Sequence, residues 1–484
     1  MAGIKRTVAV SEVLMPKTGL SRSFVTESLQ AVVRCASHRL NVFLFTFLME
    51  QSMAIPRIVV VGGGAGGLEL VTRLGRKLGK SGKAEIILVD RNPTHIWKPL
   101  LHEVAVGVMD SSLDEVSYQG HSSNAGYRYQ IGTLCGLERE HRQIRLAAIH
   151  DDKGREVLPE RRLDYDYLVL SVGSVSNDFG TPGVADHCYF LDSVKQAEAF
   201  RKQMLNTFLR CSNRDEAGKS GMSVAIVGGG ATGVELSAEL LNATQMLHGY
   251  GFSRISRQQL KIHLLEAAPR VLPALPERIS QSVHRELERL GVEIHTDTRV
   301  TQADENGFEI ADGSRIDADL TVWAAGVRGP SILSELGLST QRNHQVIVHQ
   351  TMQSVDDERI FALGDCAACP QPGDKMVPPR AQAAHQQANT LYKNLKAAMA
   401  GRELKDFHYK DMGSLISLAH FDAVGNLMRG ASAKGVLVEG WMAKIFYASL
   451  YRLHQAAIHG YTRTGIRMLV DRINTIIRPR LKLH

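Results

Sequence analysis

The chain has 484 residues, of which 44% are hydrophobic and 22% charged, and 57 Lys/Arg against 50 Asp/Glu give a formal charge of +7. These proportions exclude a collagen-like, a disordered or a multi-span membrane chain, and the length is typical of about three structural units. Six cysteines at irregular positions do not make a disulfide framework, so we expect a reducing compartment. The positive excess alone is compatible with nucleic acid, an acidic partner or an anionic membrane surface.

Residues 1–54 are expected to be a poorly ordered extension. The longest apolar run there, residues 40–49, has about ten residues, whereas a spanning helix needs about twenty. Six Lys/Arg with many Ser and Thr loosely resemble an organelle transit peptide, which remains an alternative. Because a strand pattern starts directly after Met53, we expect residues 1–52 to be dispensable.

One motif occurs twice in the chain. Residues 59–70 read VVVGGGAGGLEL and residues 225–236 read AIVGGGATGVEL, with eight of twelve positions identical at an offset of 166 residues. In each copy an apolar run leads into G-x-G-x-x-G and a helical pattern follows, as in a dinucleotide-binding strand, turn and helix. We therefore predict an α/β chain with two Rossmann-like dinucleotide-binding domains.

The glycines and a following acid in each copy have distinct roles. The first glycine allows the tight turn, the second lets the backbone approach a pyrophosphate, and the third lets the helix pack on the strand. The second strand of each unit ends in an acid that is placed to accept hydrogen bonds from a ribose 2′-hydroxyl. These candidates are Gly62, Gly64, Gly67 and Asp90 in the first copy and Gly228, Gly230, Gly233 and Glu266 in the second.

Two further strand ends carry nucleotide-binding features. Residues 167–174 read YLVLSVGS and close on Gly173, and residues 359–365 read RIFALGD and end in Asp365. With the first glycine motif they resemble flavoproteins that have two dinucleotide-binding domains, in which such an Asp contacts the FAD ribityl chain. The resemblance implies that Asp365 contacts FAD and that the NAD domain is inserted in a split FAD domain. The alternative for Asp365 is a turn-forming residue.

The cysteines separate this chain from the disulfide reductases of the same architecture. Those enzymes carry a redox cysteine pair soon after the first nucleotide motif, and residues 91–109 contain no cysteine. Cys366 and Cys369 form C-x-x-C, the spacing of a redox pair or of half a zinc site, but no second pair stands at metal spacing. We predict no metal site.

A more specific resemblance is carried by GGGAGGLEL, THIWKPLLHEVAVG, GGGATGVELSAEL, GDCAACPQPG and PPRAQAAHQQA, in this order. These segments resemble type II NADH dehydrogenase, the single-subunit NADH:quinone oxidoreductase family of bacteria. The resemblance is most specific in AQAAHQ, residues 381–386, and implies that Ala381 lines the flavin, that Gln382 and Gln386 face the quinone head group, and that His385 lies beside them. Without the family, this segment is a small-residue helix start packed on a sheet.

Glu235, directly after the second glycine motif, matches an acid that the family places near the nicotinamide and the flavin. The resemblance implies non-covalent FAD, NADH as substrate, and transfer of a hydride to FAD and then of two electrons to a membrane quinone, without proton pumping. Glu235 or His385 would relay protons to the quinone. The alternative for Glu235 is an acid stabilised by the helix dipole.

These features divide the chain into five expected regions, with a small antiparallel meander predicted from the alternating pattern at residues 127–149. The regions are an extension at 1–54, the first segment of the FAD-binding domain with the meander at 55–221, the NADH-binding domain at 222–345, the second segment of the FAD-binding domain with the quinone-side residues at 346–420, and a C-terminal membrane-association region at 421–484.

Residues 441–484 contain eight Lys/Arg and one acid, so the whole +7 lies there and the other 440 residues carry no net charge. Apolar residues recur at helical spacing between these cations, as in helices that lie in a membrane interface. We therefore predict amphipathic helices that contact anionic lipid. The alternative is a dimer or core helix with a solvated basic face.

The expected location is the cytoplasmic face of the bacterial inner membrane, held peripherally as a monotopic protein, and the family implies a homodimer. A sulfide:quinone oxidoreductase and a ferredoxin-type reductase are rival enzymes, but the first needs reactive cysteines and the second needs neither AQAAHQ nor a basic tail. A third alternative is an NADH-binding sensor whose flavin turns over poorly. No recognition motif supports nucleic-acid binding.

Overall fold

The computed structural model describes residues 55–213, 221–249, 260–419, 422–427, 436–439, 441–477 and 481. The expected N-terminal extension at residues 1–54 lies outside these ranges. The prediction of an α/β chain is confirmed, since parallel strands and helices alternate through both glycine motifs.

The chain up to residue 213 contains a parallel strand, turn and helix, followed by short strands and helices. Its elements are β1 Arg57–Val61, α1 Ala65–Leu74, β2 Glu85–Asp90, β3 Thr94–His95, α2 Leu101–Val106, α3 Ser111–Asp114, β4 Val116–Ser117, α4 Tyr118–Ala125, β5 Arg128–Ile131, β6 Leu134–Glu138, β7 Gln143–Leu146, β8 Ile149–His150, β9 Glu156–Leu158, β10 Arg161–Asp164, β11 Tyr167–Leu170, β12 Val175–Ser176, α5 Val184–His187 and α6 Val194–Asn213.

The middle of the chain repeats the strand, turn and helix. Its elements are β13 Met222–Val227, α7 Ala231–Gly249, β14 Leu260–Leu265, α8 Glu277–Arg289, β15 Val292–His295, β16 Val300–Asp304, β17 Gly307–Ile310, β18 Arg315–Asp317, β19 Leu320–Trp323, β20 Val327–Arg328 and α9 Ile332–Glu335.

The remainder of the chain returns to the first sheet and ends in two helices. Its elements are β21 Val346–Ile347, β22 Ile360–Ala362, β23 Ala367–Ala368, β24 Pro370–Gln371, β25 Lys375–Met376, α10 Ala381–Ala398, β26 Gly413–Leu418, β27 Asp422–Leu427, β28 Val436–Glu439, α11 Trp441–His459 and α12 Tyr461–Ile477.

The first parallel sheet has the strand order β22-β11-β1-β2-β5, and the second has the order β15-β14-β13-β19. The chain therefore leaves the first sheet after β11, forms the second sheet, and comes back to the first at β22. Strands β1 and β13 lie inside their sheets and read as apolar runs because helices cover parallel sheets on both faces. Ile58, Val59, Val224 and Ile226 are all completely buried.

The antiparallel meander starts later than the sequence pattern predicts. Arg128–Ile131 pairs in parallel with β2 and forms the edge of the first sheet. The antiparallel sheet consists of β6, β7 and β10. The alternation of polar and apolar residues fits an edge strand of either sheet, so the pattern could not decide which neighbour β5 pairs with.

The C-terminal elements combine a three-stranded antiparallel sheet, β26-β27-β28, with α11 and α12. Helix α11 buries His454, Gln455 and Ile458, whereas α12 leaves large apolar side chains exposed, with Ile466 at 64% and Leu469 at 63% of full exposure. Within the described ranges, every helix is too short or too polar to traverse a lipid bilayer.

Candidate active site

The two glycine motifs form loops of matching geometry between β1 and α1 and between β13 and α7. Gly62 and Gly228 have φ values of +103° and +109°, which residues with a side chain rarely adopt. A Cβ on Gly67 would collide with the carbonyl oxygen of Gly62, and one on Gly233 would collide with that of Gly228. Each helix can therefore begin this close to its strand only with glycine at these positions.

Open space lies beside the middle glycine of each loop. A Cβ on Gly64 or Gly230 would meet nothing within 4 Å. The helices begin next to this space, at Ala65 and Ala231, and a helix N-terminus supplies free N–H groups and a partial positive charge. Both loops therefore fit the pyrophosphate of a dinucleotide.

The two acids that follow the motifs lie against their own glycine loops. Asp90 Oδ2 accepts a hydrogen bond from Gly63 N at 2.6 Å, and Glu266 Oε2 accepts one from Gly229 N at 2.7 Å. The other oxygen of each carboxylate accepts from a backbone N–H two residues further along the chain, at 2.8 Å. Burial raises the pKa of Asp90 above its ordinary value. Both acids are thus held at the edge of the open space.

The ends of β11 and β22 meet because the two strands are neighbours in the first sheet. Gly173 and Gly364 follow these strands with φ values of +72° and +73°. Ser174 Oγ donates to Asp365 Oδ2 at 2.8 Å, and Lys98 Nζ donates to Ser174 O at 2.8 Å. Burial raises the pKa of Asp365. The structure therefore brings Gly173 and Asp365 together beside the first glycine loop.

Helix α10 begins at Ala381 and packs closely on α1. A Cβ on Gly66 would lie 2.5 Å from Leu363 Cδ1 and 3.2 Å from Ala384 Cβ. Gln387 Oε1 also accepts a hydrogen bond from Gly364 N at 2.7 Å. The small residues at the start of α10 allow this close approach to the first nucleotide loop.

Gln382 and Gln386 use their side-chain amides to hold the segment that leads into β26. Gln382 donates to Gly413 O at 2.9 Å and accepts from Met412 N at 3.0 Å. Gln386 donates to Lys410 O at 2.8 Å and accepts from Lys410 N at 3.0 Å. The two glutamines therefore fix the backbone of residues 410–413 along one side of α10.

Glu235 is buried on the first turns of α7. Its Oε1 accepts from Ser417 N at 3.1 Å, and its Oε2 lies 3.6 Å from His102 Nδ1. Burial lowers the pKa of His102 to about 4, so its ring is neutral at neutral pH. Next to it along α2, burial together with the charge of Glu239 raises the pKa of Glu103 to about 8. The histidine that faces Glu235 therefore carries no charge at neutral pH.

Glu69 stands at the position of the first motif that Glu235 occupies in the second, and its partners differ. Its Oε2 lies 2.5 Å from His385 Nδ1 on α10, and its Oε1 lies 2.7 Å from His454 Nδ1 on α11. His454 Nε2 lies 2.9 Å from His95 Nε2, and His95 Nδ1 donates to Gly63 O at 2.9 Å. We call Glu69, His385, His454 and His95 the histidine cluster.

Of the four members of this cluster, the sequence pointed only to His385. The repeat carried one further signal, because Glu69 and Glu235 align. Nothing in the order of residues places His454 beside Glu69, which lies 385 positions earlier. The two cysteines of C-x-x-C are both buried, and their thiols donate to backbone carbonyls.

A family model and several solved structures match this chain and indicate its class of protein. The family model described as pyridine nucleotide-disulphide oxidoreductase matches residues 56–388. Among solved structures, NDH2 from Plasmodium falciparum in complex with NADH superposes with a TM-score of 0.75 at 19% identity, covering 88% of this chain and all of that one. The sulfide:quinone oxidoreductase of Aquifex aeolicus superposes with a TM-score of 0.65 at 16% identity, covering 84% and 92%. These structures share the fold.

Sequence relatives narrow the class. A type II NADH:quinone oxidoreductase of Haemophilus influenzae is 46% identical over 441 residues, which is 88% of this chain and 99% of the relative. One from Staphylococcus aureus is 29% identical over 76% of this chain and 89% of the relative. The chain therefore belongs to the pyridine nucleotide-disulphide oxidoreductase family and, within it, to the type II NADH:quinone oxidoreductases.

Proposed function

We propose that this chain is a respiratory, non-proton-pumping NADH:quinone oxidoreductase that oxidises NADH and reduces a membrane quinone with FAD as its non-covalent cofactor. The observation that carries the proposal is 46% identity over 99% of the length of a type II NADH:quinone oxidoreductase. Two dinucleotide loops of matching geometry in one chain support it, since the reaction needs one nucleotide that stays bound and one that exchanges.

FAD is assigned to residues 55–221 and 346–420. The open space at Gly64 and the N-terminus of α1 would hold the pyrophosphate, Asp90 would bind the ribose, and Gly173 and Asp365 would lie along the ribityl chain. When bound there, FAD supplies the redox chemistry, accepting a hydride from NADH and giving two electrons to the quinone. The close packing of α10 on Gly66, through Ala384, supports the assignment of Ala381 and its neighbours to this nucleotide.

NADH is assigned to residues 222–345. The loop at Gly228, Gly230 and Gly233 would hold its pyrophosphate, and Glu266 would accept hydrogen bonds from the 2′-hydroxyl of its ribose. A carboxylate at this point repels a 2′-phosphate, which favours NADH over NADPH. Glu235, on the helix that follows the loop, is assigned to the nicotinamide end.

The quinone is assigned to the side of α10 that carries Gln382 and Gln386. Their amides hold residues 410–413 in place, so they would form one wall of the quinone site while the small residues of α10 leave room for a planar ring. Quinone reduction consumes protons, and Glu235 or His385 would deliver them. Glu235 is buried, whereas the side chain of His385 is 42% exposed, which favours His385 as the group that exchanges protons with water.

The C-terminal region, residues 421–484, is assigned to the membrane surface. Helix α12 exposes Ile466, Leu469 and Ile473, and the basic residues of 441–484 carry the whole net charge of the chain. An exposed apolar row among cations suits a helix that lies in the interface of anionic lipid. We propose peripheral, monotopic attachment at the cytoplasmic face of the bacterial inner membrane, as a homodimer.

A two-step absorbance assay tests the proposed reaction. NADH added anaerobically to the flavin-loaded protein is expected to bleach the flavin within seconds, and a water-soluble quinone added afterwards is expected to restore its colour. If the flavin bleaches slowly and none of the quinones tested reoxidises it, the protein would instead be an NADH-binding sensor.

A further inference from the structure

We propose that Glu69 is a positioning residue that holds His385 in its protonated form, that His385 gives the quinone its solvent-derived proton, and that His454 of α11 keeps Glu69 anionic. This inference rests on the proposed function. The overall reaction consumes one proton, because NADH + Q + H⁺ gives NAD⁺ + QH₂, where Q is the quinone and QH₂ the quinol. The hydride supplies the two electrons and one hydrogen, and one proton has to come from water through the protein.

The hydrogen-bond partners of the buried histidine rings show which ring nitrogens carry a hydrogen. Gly63 O can only accept, so His95 Nδ1 carries a hydrogen. Burial and the nearby His454 lower the pKa of His95 to about 3, so this ring is neutral and its Nε2 is an acceptor. The proton between the two Nε2 atoms, 2.9 Å apart, therefore belongs to His454.

The second nitrogen of His454 faces Glu69. Burial alone would raise the pKa of Glu69, but hydrogen bonds to His385 and His454 lower it below its ordinary value. An ionised Glu69 has no hydrogen to give, so the hydrogen in the 2.7 Å contact lies on His454 Nδ1. His454 Nδ1 thus donates to Glu69, and a buried ring on α11 is hydrogen-bonded to a buried carboxylate on α1.

The other oxygen of Glu69 acts on His385. Its hydrogen bond raises the pKa of His385, against the opposing effects of burial and of Arg73. Arg73 also acts on this ring, and the Asn389 amide lies 3.4 Å from His385 Nε2. Because the side chain is 42% exposed, His385 can give a proton from Nε2 and regain one from water.

The cluster joins four elements, α1, β3, α10 and α11, which come from distant parts of the chain. Glu69 lies on α1, the helix of the first nucleotide loop, His385 on α10, the helix assigned to the quinone, and His454 on α11, which precedes α12. His95 lies on β3. The ring of His454 also packs on Trp97, with centroids 4.2 Å apart. The position of α11 therefore contributes, through His454 and Glu69, to the charge state of His385.

The test uses three variants of the full-length, flavin-loaded protein. Glu69→Gln keeps the shape and removes the charge, and His454→Phe keeps the ring on Trp97 and removes the donor to Glu69. His121→Phe is the matched control, because His121 contacts the same end of α11 through Ile458 O at 3.1 Å and lies outside the cluster. Bound flavin, measured by absorbance, shows that each variant is folded.

Two measurements decide the proposal. In Glu69→Gln, the pH above which quinone turnover falls is expected to decrease by about one unit or more. In His454→Phe the same pH is expected to decrease by a smaller amount. The rate at which NADH bleaches the flavin is expected to stay within about twofold of the wild-type rate in both variants. The titration of His385, followed by NMR of isotope-labelled histidine and identified by its loss in His385→Gln, is expected to shift likewise.

The control variant, a failure of this inference and a failure of the proposed function each give a different result. His121→Phe is expected to leave both midpoints unchanged. If Glu69→Gln and His454→Phe give wild-type midpoints, the inference is wrong even though the enzyme reduces quinone. If Glu69→Gln binds no flavin, His454→Phe alone decides. If the wild-type protein reduces no quinone in the same assay, the proposed function itself fails.

Discussion

Two acids in equivalent positions of the repeat have different surroundings. Glu69 and Glu235 both follow the third glycine by two residues, and both are buried. Glu69 accepts from imidazoles on α10 and α11, whereas Glu235 accepts from the backbone of β26. The same motif therefore provides a carboxylate paired with two rings in one copy and a carboxylate bonded to a strand in the other, and only the contacts across the fold distinguish them.

Replacing Glu266 is expected to relax the choice of nicotinamide nucleotide. Glu266→Gln removes the negative charge beside the second loop, so a 2′-phosphate is no longer repelled there. We expect the ratio of kcat/KM for NADH to that for NADPH to fall about tenfold, mainly through a lower KM for NADPH. Asp90→Asn, which makes the same change of charge at the loop assigned to FAD, is the matched control. An unchanged ratio in Glu266→Gln would place the ribose elsewhere.

Glu103 is expected to make stability depend on pH. Its pKa is about 8 in the folded protein, because burial and then Glu239 and Asp114 raise it, against an ordinary value of 4.5. A raised carboxyl pKa means that the unfolded chain loses the proton first, so stability falls as pH rises from about 4.5 to above 8. Glu103→Gln keeps the neutral shape, and it is expected to raise Tm more at pH 8 than at pH 5. An equal effect at both pH values would contradict this.

At the scale of elements, the two strand, turn and helix units have the same backbone geometry and different neighbours. In each unit a Cβ on the third glycine would collide with the carbonyl oxygen of the first glycine, so both helices begin equally close to their strands. Helix α10 packs on α1 at Gly66, whereas the helix that packs on α7 is α2, with His102 Nδ1 3.6 Å from Glu235 Oε2. We assign the cofactor that stays bound to the first unit because α10 and Asp365 lie beside its loop, and the exchanging nucleotide to the second.

A pair of matched glycine variants tests this assignment. The Cβ of Gly67→Ala or Gly233→Ala would meet a backbone carbonyl oxygen, which cannot move without opening the loop. We expect Gly67→Ala to be purified with little bound flavin, and Gly233→Ala to keep its flavin while its Kd for NADH rises about tenfold or more. Loss of flavin in Gly233→Ala with retention in Gly67→Ala would reverse the assignment.

At the scale of the whole molecule, charge and exposed apolar surface coincide. The last 44 residues carry the net charge of +7, and the same region has the exposed row on α12. The rest of the chain is electrically balanced and buries its parallel strands under helices. We propose that this surface contacts anionic lipid; α12 follows α11, the helix that carries His454.

Membrane binding is expected to depend on that row. Ile466→Ser with Leu469→Ser removes two large apolar side chains that are 64% and 63% exposed, so folding should be little affected. We expect the double variant to lose sedimentation with anionic vesicles, and the wild type to bind less as salt rises. Val157→Ser, at a residue 59% exposed in β9, is the control. Undiminished vesicle binding by the double variant would remove α12 from the membrane contact.

The sequence by itself determined the α/β class, the two nucleotide loops and the basic end of the chain. Glycine spacing, apolar strand runs and charge are local properties, and each constrains the backbone or solvent contact directly at the residues concerned. The edge pairing of β5, the use of Gln382 and Gln386 to hold residues 410–413, and the histidine cluster were decided by tertiary structure. Their partners are 24 to 385 residues apart along the chain, and such contacts exist only once the sheets and helices are packed.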